Sequence, residues 1–179
     1  MQEDRLLINN AINGDTDSYI MFISKYNNNL FSLIYKMTLS KEDTEEILQE
    51  AYIRAYKSLY RCTCTSRYTV WLYKIVVNEF RNYYKRKGKK QKPESSTLYD
   101  LSSTESNYQS QEDYNLTVKL INSLEENQRM AFLLEPLEGF NYKEISLIIG
   151  ESVESAKMKV NKAKAVVGQK FCELKKGEK

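Results

Sequence analysis

Residues 141–167 read NYKEISLIIGESVESAKMKVNKAKAVV, and their punctuation is that of two helices. Asn141 stands three residues before Glu144, the spacing of a capping box, so a helix opens there. Ile145, Ile148 and Ile149 give that helix one apolar face, and Gly150 ends it. Ser152 is placed to cap a second helix carrying Val153, Ala156, Val160, Ala163 and Val167 on one face. Basic residues lie opposite. This is the pattern of a helix-turn-helix, whose second helix enters the major groove of DNA and presents its first turns to base edges. The residues so placed are Glu154, Ser155, Lys157, Met158, Lys159, Asn161 and Lys162. A helical hairpin with a solvated lysine face would show the same pattern. Every cation in this set is a lysine, so phosphate contact is expected to exceed base reading.

Working towards the N-terminus, Ser123-Leu124-Glu125-Glu126 has a second capping-box spacing ahead of Met130, Phe132, Leu133 and Leu137, with Glu138-Gly139 as the stop. Residues 93–115 contain five acids and no base, lack any period, and read as a flexible linker. Before them, a helix is expected from Val70 to about Lys87. It begins apolar on almost all sides and ends in RNYYKRKGKK. Residues 61–69 read as a loop. Ser40-Lys41-Glu42-Asp43 starts a helix that turns Ile47, Leu48, Ala51, Ala55 and Leu59 inward. Tyr19, Phe22, Ile23 and Tyr26, then Leu30, Leu33, Ile34 and Met37, repeat a helical period. Leu6, Leu7 and Ala11 mark a first helix ended by Gly14-Asp15, with Asp15 or Thr16 capping the next. The expectation is an all-α chain of two small helical domains, 1–92 and 116–179, joined by the linker at 93–115.

Composition narrows the chemistry. The 179 residues include no histidine, which removes Ser-His-Asp and Cys-His catalysis and His-containing zinc sites. Six glycines are too few for glycine-rich phosphate cradles. The three cysteines, Cys62, Cys64 and Cys172, are odd in number, and Cys62-Thr63-Cys64 is too tight for zinc, so reduced thiols are expected, with a Cys62/Cys64 redox switch as the sharper reading. No run of 18 apolar residues occurs, and MQEDRLLINN is unlike a signal peptide, so a cytoplasmic location without membrane insertion is expected. The net charge of +3 is a cancellation: residues 67–92 hold nine bases against one acid, and residues 152–179 eight against three. Two basic blocks at helix ends suggest phosphate contact.

Two further constellations stand out. From Asn78 to Lys87, amides, aromatics and cations interleave on one helix. Amides can bond base edges, aromatics can stack on unpaired bases, and cations hold phosphates. A core helix with a solvated basic end is the plainer alternative. Glu42, Asp43, Glu45, Glu46 and Glu50 form an acidic face. It is either solvated or a protein-docking surface, and Glu46 with Glu50 at i, i+4 spacing could share a metal.

In order along the chain, these pieces resemble the extracytoplasmic-function group of the sigma-70 family of bacterial sigma factors. Asp43-Thr44-Glu45-Glu46-Ile47-Leu48-Gln49-Glu50-Ala51-Tyr52 is similar to the family's D-A-E-D-L-x-Q-E-x-F segment. Tyr68-Thr69-Val70-Trp71-Leu72-Tyr73-Lys74-Ile75 matches F-x-x-W-L-x-x-I, and Asn78 and Asn82 fall on its promoter-reading asparagines. Leu137-Glu138-Gly139-Phe140-Asn141-Tyr142-Lys143-Glu144-Ile145 matches E-L-x-G-L-S-Y-x-E-I-A. At the family's G-T-V-K/R-S-R this chain has Glu154-Ser155-Ala156-Lys157-Met158-Lys159, an acid and a methionine standing for a glycine and a serine.

The resemblance implies a non-enzymatic transcription initiation factor without cofactor or metal. Asp43, Glu46, Ile47, Gln49, Glu50, Tyr52 and Ile53 would dock on the β′ clamp helices of core RNA polymerase, with the β flap as a further contact. Arg67, Tyr68, Lys74, Asn78, Arg81, Asn82, Lys85 and Arg86 would meet the −10 element, beside a base-capturing loop at 61–69. Ser155, Lys157, Met158, Lys159, Asn161 and Lys162 would meet the −35 element. An anti-sigma protein would restrain the factor. A helix-turn-helix repressor or activator acting on duplex DNA alone, and an enzyme with a metal at Glu42–Glu50, are the competing readings.

Overall fold

In the computed structural model the described residues are 2–62, 67–88 and 120–176, with side chains, Arg61 excepted, as far as Gln169. They fall into two units that separate between Glu94 and Ser95. The expected linker at 93–115 and residues 63–66 of the loop expected at 61–69 lie outside the described residues, while Tyr68 and Thr69 already belong to the following helix.

Unit one is built from α1 (Gln2–Ile12), α2 (Thr16–Thr38), α3 (Lys41–Ser58), a single 3₁₀ turn (Leu59–Arg61) and α4 (Tyr68–Lys87). Each helix packs on the next, α1 on α2, α2 on α3 and α3 on α4. Local chemistry sets the boundaries. Gly14, at φ +98°, turns the chain out of α1. Asp15 then caps α2, its carboxylate accepting from the N–H groups of Asp17 and Ser18 and from the Ser18 hydroxyl. Leu39 takes the left-handed conformation and its N–H donates to the Tyr35 carbonyl at 2.8 Å. Ser40 caps α3 one residue later, accepting from the Asp43 N–H.

The core follows the helical period. Phe22, Leu30, Leu33 and Ile34 of α2 share the core of unit one with Ile47, Ala51 and Ala55 of α3 and Leu72, Tyr73, Val76 and Val77 of α4, all essentially inaccessible. Alanine at 51 and 55 removes side-chain bulk where α3 lies between its neighbours. In α1 the expected apolar face is rotated: Leu6 is exposed, whereas Ile8 and even Asp4 are buried. Asp4 tolerates burial because the Tyr26 hydroxyl donates to it at 2.9 Å and the Lys25 ammonium lies 2.7 Å away.

Unit two contains α5 (Glu126–Leu134), α6 (Tyr142–Ile149) and α7 (Val153–Lys176). Met130, Leu134, Ile145, Ile148 and Ile149 pack against Ala156, Val160 and Ala163 of α7. The capping box at Asn141 and Glu144 is present in both directions, and Gly150 closes α6 at φ +74°. The one expected at Ser123 is not: Ser123 turns its hydroxyl back to the Leu120 carbonyl, and α5 begins after Glu125 with no side-chain cap. That helix also stops earlier than expected, at Leu134, and Glu138 and Gly139 form a left-handed pair beyond it. Ser152 caps α7 by accepting from the Ser155 N–H. Val153 is exposed, because the first turn of α7 projects beyond the core.

Candidate nucleic-acid and polymerase interfaces

Helix α4 has two faces. Val70, Leu72, Tyr73, Val76, Val77, Phe80 and Tyr83 point into unit one. The opposite face is wet or half-wet along its whole length: Trp71 and Ile75 are half-buried, Lys74 and Asn78 exposed, Arg81 and Asn82 half-buried, Lys85 and Arg86 exposed. The apolar start is therefore not buried all round. At ~100° per residue, Lys74, Asn78, Asn82 and Lys85 fall in one stripe, so amides and cations share the surface that a strand of nucleic acid would track. Arg67 and Tyr68, at the entry to α4, are half-buried.

One acid interrupts this helix. Glu79 is fully buried, with Arg54 Nε 2.9 Å from one carboxylate oxygen and Arg86 Nη1 3.3 Å from the other. Both contacts balance charge, yet neither has the alignment of a hydrogen bond. Arg86, expected on DNA, thus also braces the helix that carries it. The signal for this was in the sequence: Glu79 is the single acid among the nine bases of residues 67–92.

Helix α3 presents the acidic face, but part of it is already engaged. Tyr83 of α4 donates its hydroxyl to Asp43 at 2.8 Å and to Glu46 at 3.2 Å, and Lys87 Nζ lies 2.7 Å from Asp43. The bond to Asp43, with Tyr83 second, holds the Lys87 ammonium well above its ordinary value; burial is the main influence raising the Tyr83 hydroxyl. Ile47 is 1 % exposed and cannot touch a partner. It is a core residue, since it faces the same way as Leu48 and Ala51. Tyr52 is half-buried, donates to Asn27, and accepts the Tyr19 hydroxyl on its carbonyl; burial pushes its own hydroxyl up. The outward stripe of α3 is accordingly Glu42, Glu46, Gln49, Glu50 and Ile53. Among the described residues no group of three or more His, Cys, Asp or Glu could hold a metal ion.

In unit two, Glu151 organises the turn before α7. It accepts from Asn127 Nδ2 at 3.0 Å and the Ser155 hydroxyl at 2.6 Å, and Lys159 closes on the same carboxylate. Ser155 and Lys159, expected on DNA, are therefore turned towards α5 and the turn. Lys157, Met158, Asn161 and Lys162 are exposed. Replacing Glu151 by Ala would remove all three bonds and leave Lys159 half-buried without its partner. We expect a local loss of about 2 kcal/mol, read as faster amide hydrogen exchange in α6 and α7 of the intact chain, with α2 to α4 unchanged.

Two family profiles match the chain, "Sigma-70 region 2" over residues 22–90 and "Sigma-70, region 4" over residues 115–166. The chain belongs to the sigma-70 family. Among its relatives is the ECF RNA polymerase sigma-E factor of Escherichia coli K12, 28 % identical over 181 aligned positions covering 93 % of each chain. The sigma-E factor of Haemophilus influenzae is 26 % identical over 94 % of this chain and 95 % of its own. The fold resembles that of CnrH solved with the cytosolic domain of CnrY, at TM-score 0.73, 15 % identity, 96 % of this chain and 98 % of that one. It also resembles the sigma factor RpoE of Bartonella quintana solved with the anti-sigma factor NepR, at TM-score 0.68, 20 % identity, 85 % of this chain and 96 % of that one. This sigma factor is of the extracytoplasmic-function type, and it is an initiation factor rather than an enzyme. Its partners are core RNA polymerase and promoter DNA. No described helix is long and apolar enough to cross a membrane.

Proposed function

We propose a division of labour among the faces just described. Residues 1–92 act as region 2, residues 116–179 as region 4, and residues 93–115 as the linker between them. Glu46, Gln49, Glu50 and Ile53 dock on the clamp helices of polymerase. Helix α4 meets the −10 element, with Lys74, Arg81 and Lys85 on phosphates and Asn78 and Asn82 on bases. Helix α7 meets the −35 element through Lys157, Met158, Asn161 and Lys162. An anti-sigma protein, of the kind seen with the CnrH and RpoE neighbours, occludes these faces until a signal releases it.

The observation that carries this reading is the outward stripe of α4. Asn78 has no structural duty in the core, and it lies between cations on the face away from it. Run-off transcription with purified core polymerase tests the whole assignment. The full chain should direct initiation from a cognate promoter and co-purify with core enzyme. Reversing Glu50 to Lys and replacing Ile53 by Asp should weaken polymerase capture by roughly tenfold or more. That follows from like-charge contact and a buried charge each costing over about 1 kcal/mol at an interface. Unchanged capture would move docking off α3. Tight operator binding without polymerase recruitment would favour the repressor reading instead.

A further inference from the structure

With Ser155 and Lys159 committed to Glu151, five exposed side chains remain between Glu154 and Lys162 of α7. At ~100° per residue, Glu154, Met158 and Asn161 form a central stripe, with Lys157 on one flank and Lys162 on the other. This stripe lies opposite Ala156, Val160 and Ala163, the buried face. Glu154 is exposed, Met158 is 61 % exposed, and Asn161 is exposed. No hydrogen bond or ion pair is recorded for the Glu154 carboxylate among the described residues, although Lys157 and Met158 follow within a turn.

Two lysines spaced around a non-cationic stripe suit a helix in the major groove, with the flanks towards phosphates and the centre towards base edges. An acid at the centre repels the phosphate backbone. It is tolerable only where a donor meets it. Cytosine N4 and adenine N6 both donate in that groove, but adenine sets its N7 acceptor beside the donor and repels a carboxylate, which leaves cytosine. A solvent-exposed thioether one turn on suits the C5-methyl of thymine, and an asparagine suits adenine. We propose that Glu154 and Met158 are specificity-determining residues of α7, Glu154 selecting cytosine and Met158 a neighbouring thymine methyl. This rests on the assignment of α7 to the −35 element. The lysines keep the phosphate contacts expected of them, and base reading falls to the stripe between them.

The test uses the full chain with core polymerase on a promoter pool randomised through the −35 element, with transcripts sequenced. Wild type should enrich cytosine at one position, and Glu154→Gln should reduce that preference about tenfold while raising output from poor −35 sequences, because one repulsive charge is gone. Deoxyuridine in place of the selected thymine should weaken wild type and leave Met158→Ala unaffected. An acid in the first turn also suits the helix dipole, but that effect is blind to DNA sequence. A −35 preference identical in wild type and Glu154→Gln overturns the Glu154 assignment while the placement of α7 stands. A wild-type pool with no −35 preference at all overturns both.

Discussion

The Asn78→Ala, Asn82→Ala double variant is expected to lower run-off transcription roughly 100-fold while core polymerase binding stays within about twofold of wild type. The size follows from two amide contacts to base edges at about 1–3 kcal/mol each, with 1.4 kcal/mol per factor of ten. Retained docking follows from position. Asn78 and Asn82 lie on α4, and the proposed docking stripe of Glu46, Gln49, Glu50 and Ile53 lies on the outer side of α3. Neither asparagine belongs to the core of unit one, so folding should be preserved. A template already unpaired across the −10 element should recover part of the loss, because the variant is then relieved of opening the duplex. Failure of polymerase binding in the variant would make α4 a docking helix and overturn the assignment.

How far the sequence reached can be argued residue by residue. Periodicity located Phe22, Leu30, Leu33, Ile34, Val76 and Val77 correctly because each helix has an apolar face wide enough to average over single exceptions. Caps at Asp15, Ser40, Asn141 and Ser152 were legible because their partners lie within four residues. Long-range pairing was not legible. Asp43 meets Tyr83 and Lys87 across 40 and 44 residues, and Glu79 meets Arg54 across the α3–α4 contact. No local period encodes such pairs. The same blindness hid the bonds of Ser155 and Lys159, both expected on DNA, to Glu151, since these depend on how the turn folds back. Ile47 was turned inward by the helical period and yet expected on the polymerase face through the family motif, which marks a sequence position without saying which way its side chain points; the period was right. The helices that carry the proposed sites were thus readable, whereas which of their side chains face outward follows only from burial and competing bonds.

Arg54→Ala should destabilise unit one by about 3 kcal/mol, although Arg54 is more than half exposed at the surface. The reason lies in its partner. Glu79 has no contact with solvent, and its carboxylate is balanced by Arg54 and, less closely, by Arg86. Breaking a buried pair by removing one member leaves an uncompensated charge, which costs about 3–5 kcal/mol. The lower end applies because Arg86 remains and Arg54 is already partly solvated. Glu79→Leu should behave differently. It removes the buried charge itself and leaves two arginines free to reach water, so its effect should stay within about 1 kcal/mol. The double variant Arg54→Ala, Glu79→Leu should then recover most of what Arg54→Ala loses. Urea unfolding followed by Trp71 fluorescence is the right measurement, because Trp71 is the chain's single tryptophan and sits on α4. At about 1.5 kcal/mol/M, the Arg54→Ala midpoint should fall by roughly 2 M and return in the double variant. Equal losses in Arg54→Ala and in the double variant would show that Arg54 stabilises α3 by some route other than Glu79. Glu79 immediately follows Asn78, so the rotation of α4 that turns Glu79 inward also turns Asn78 outward.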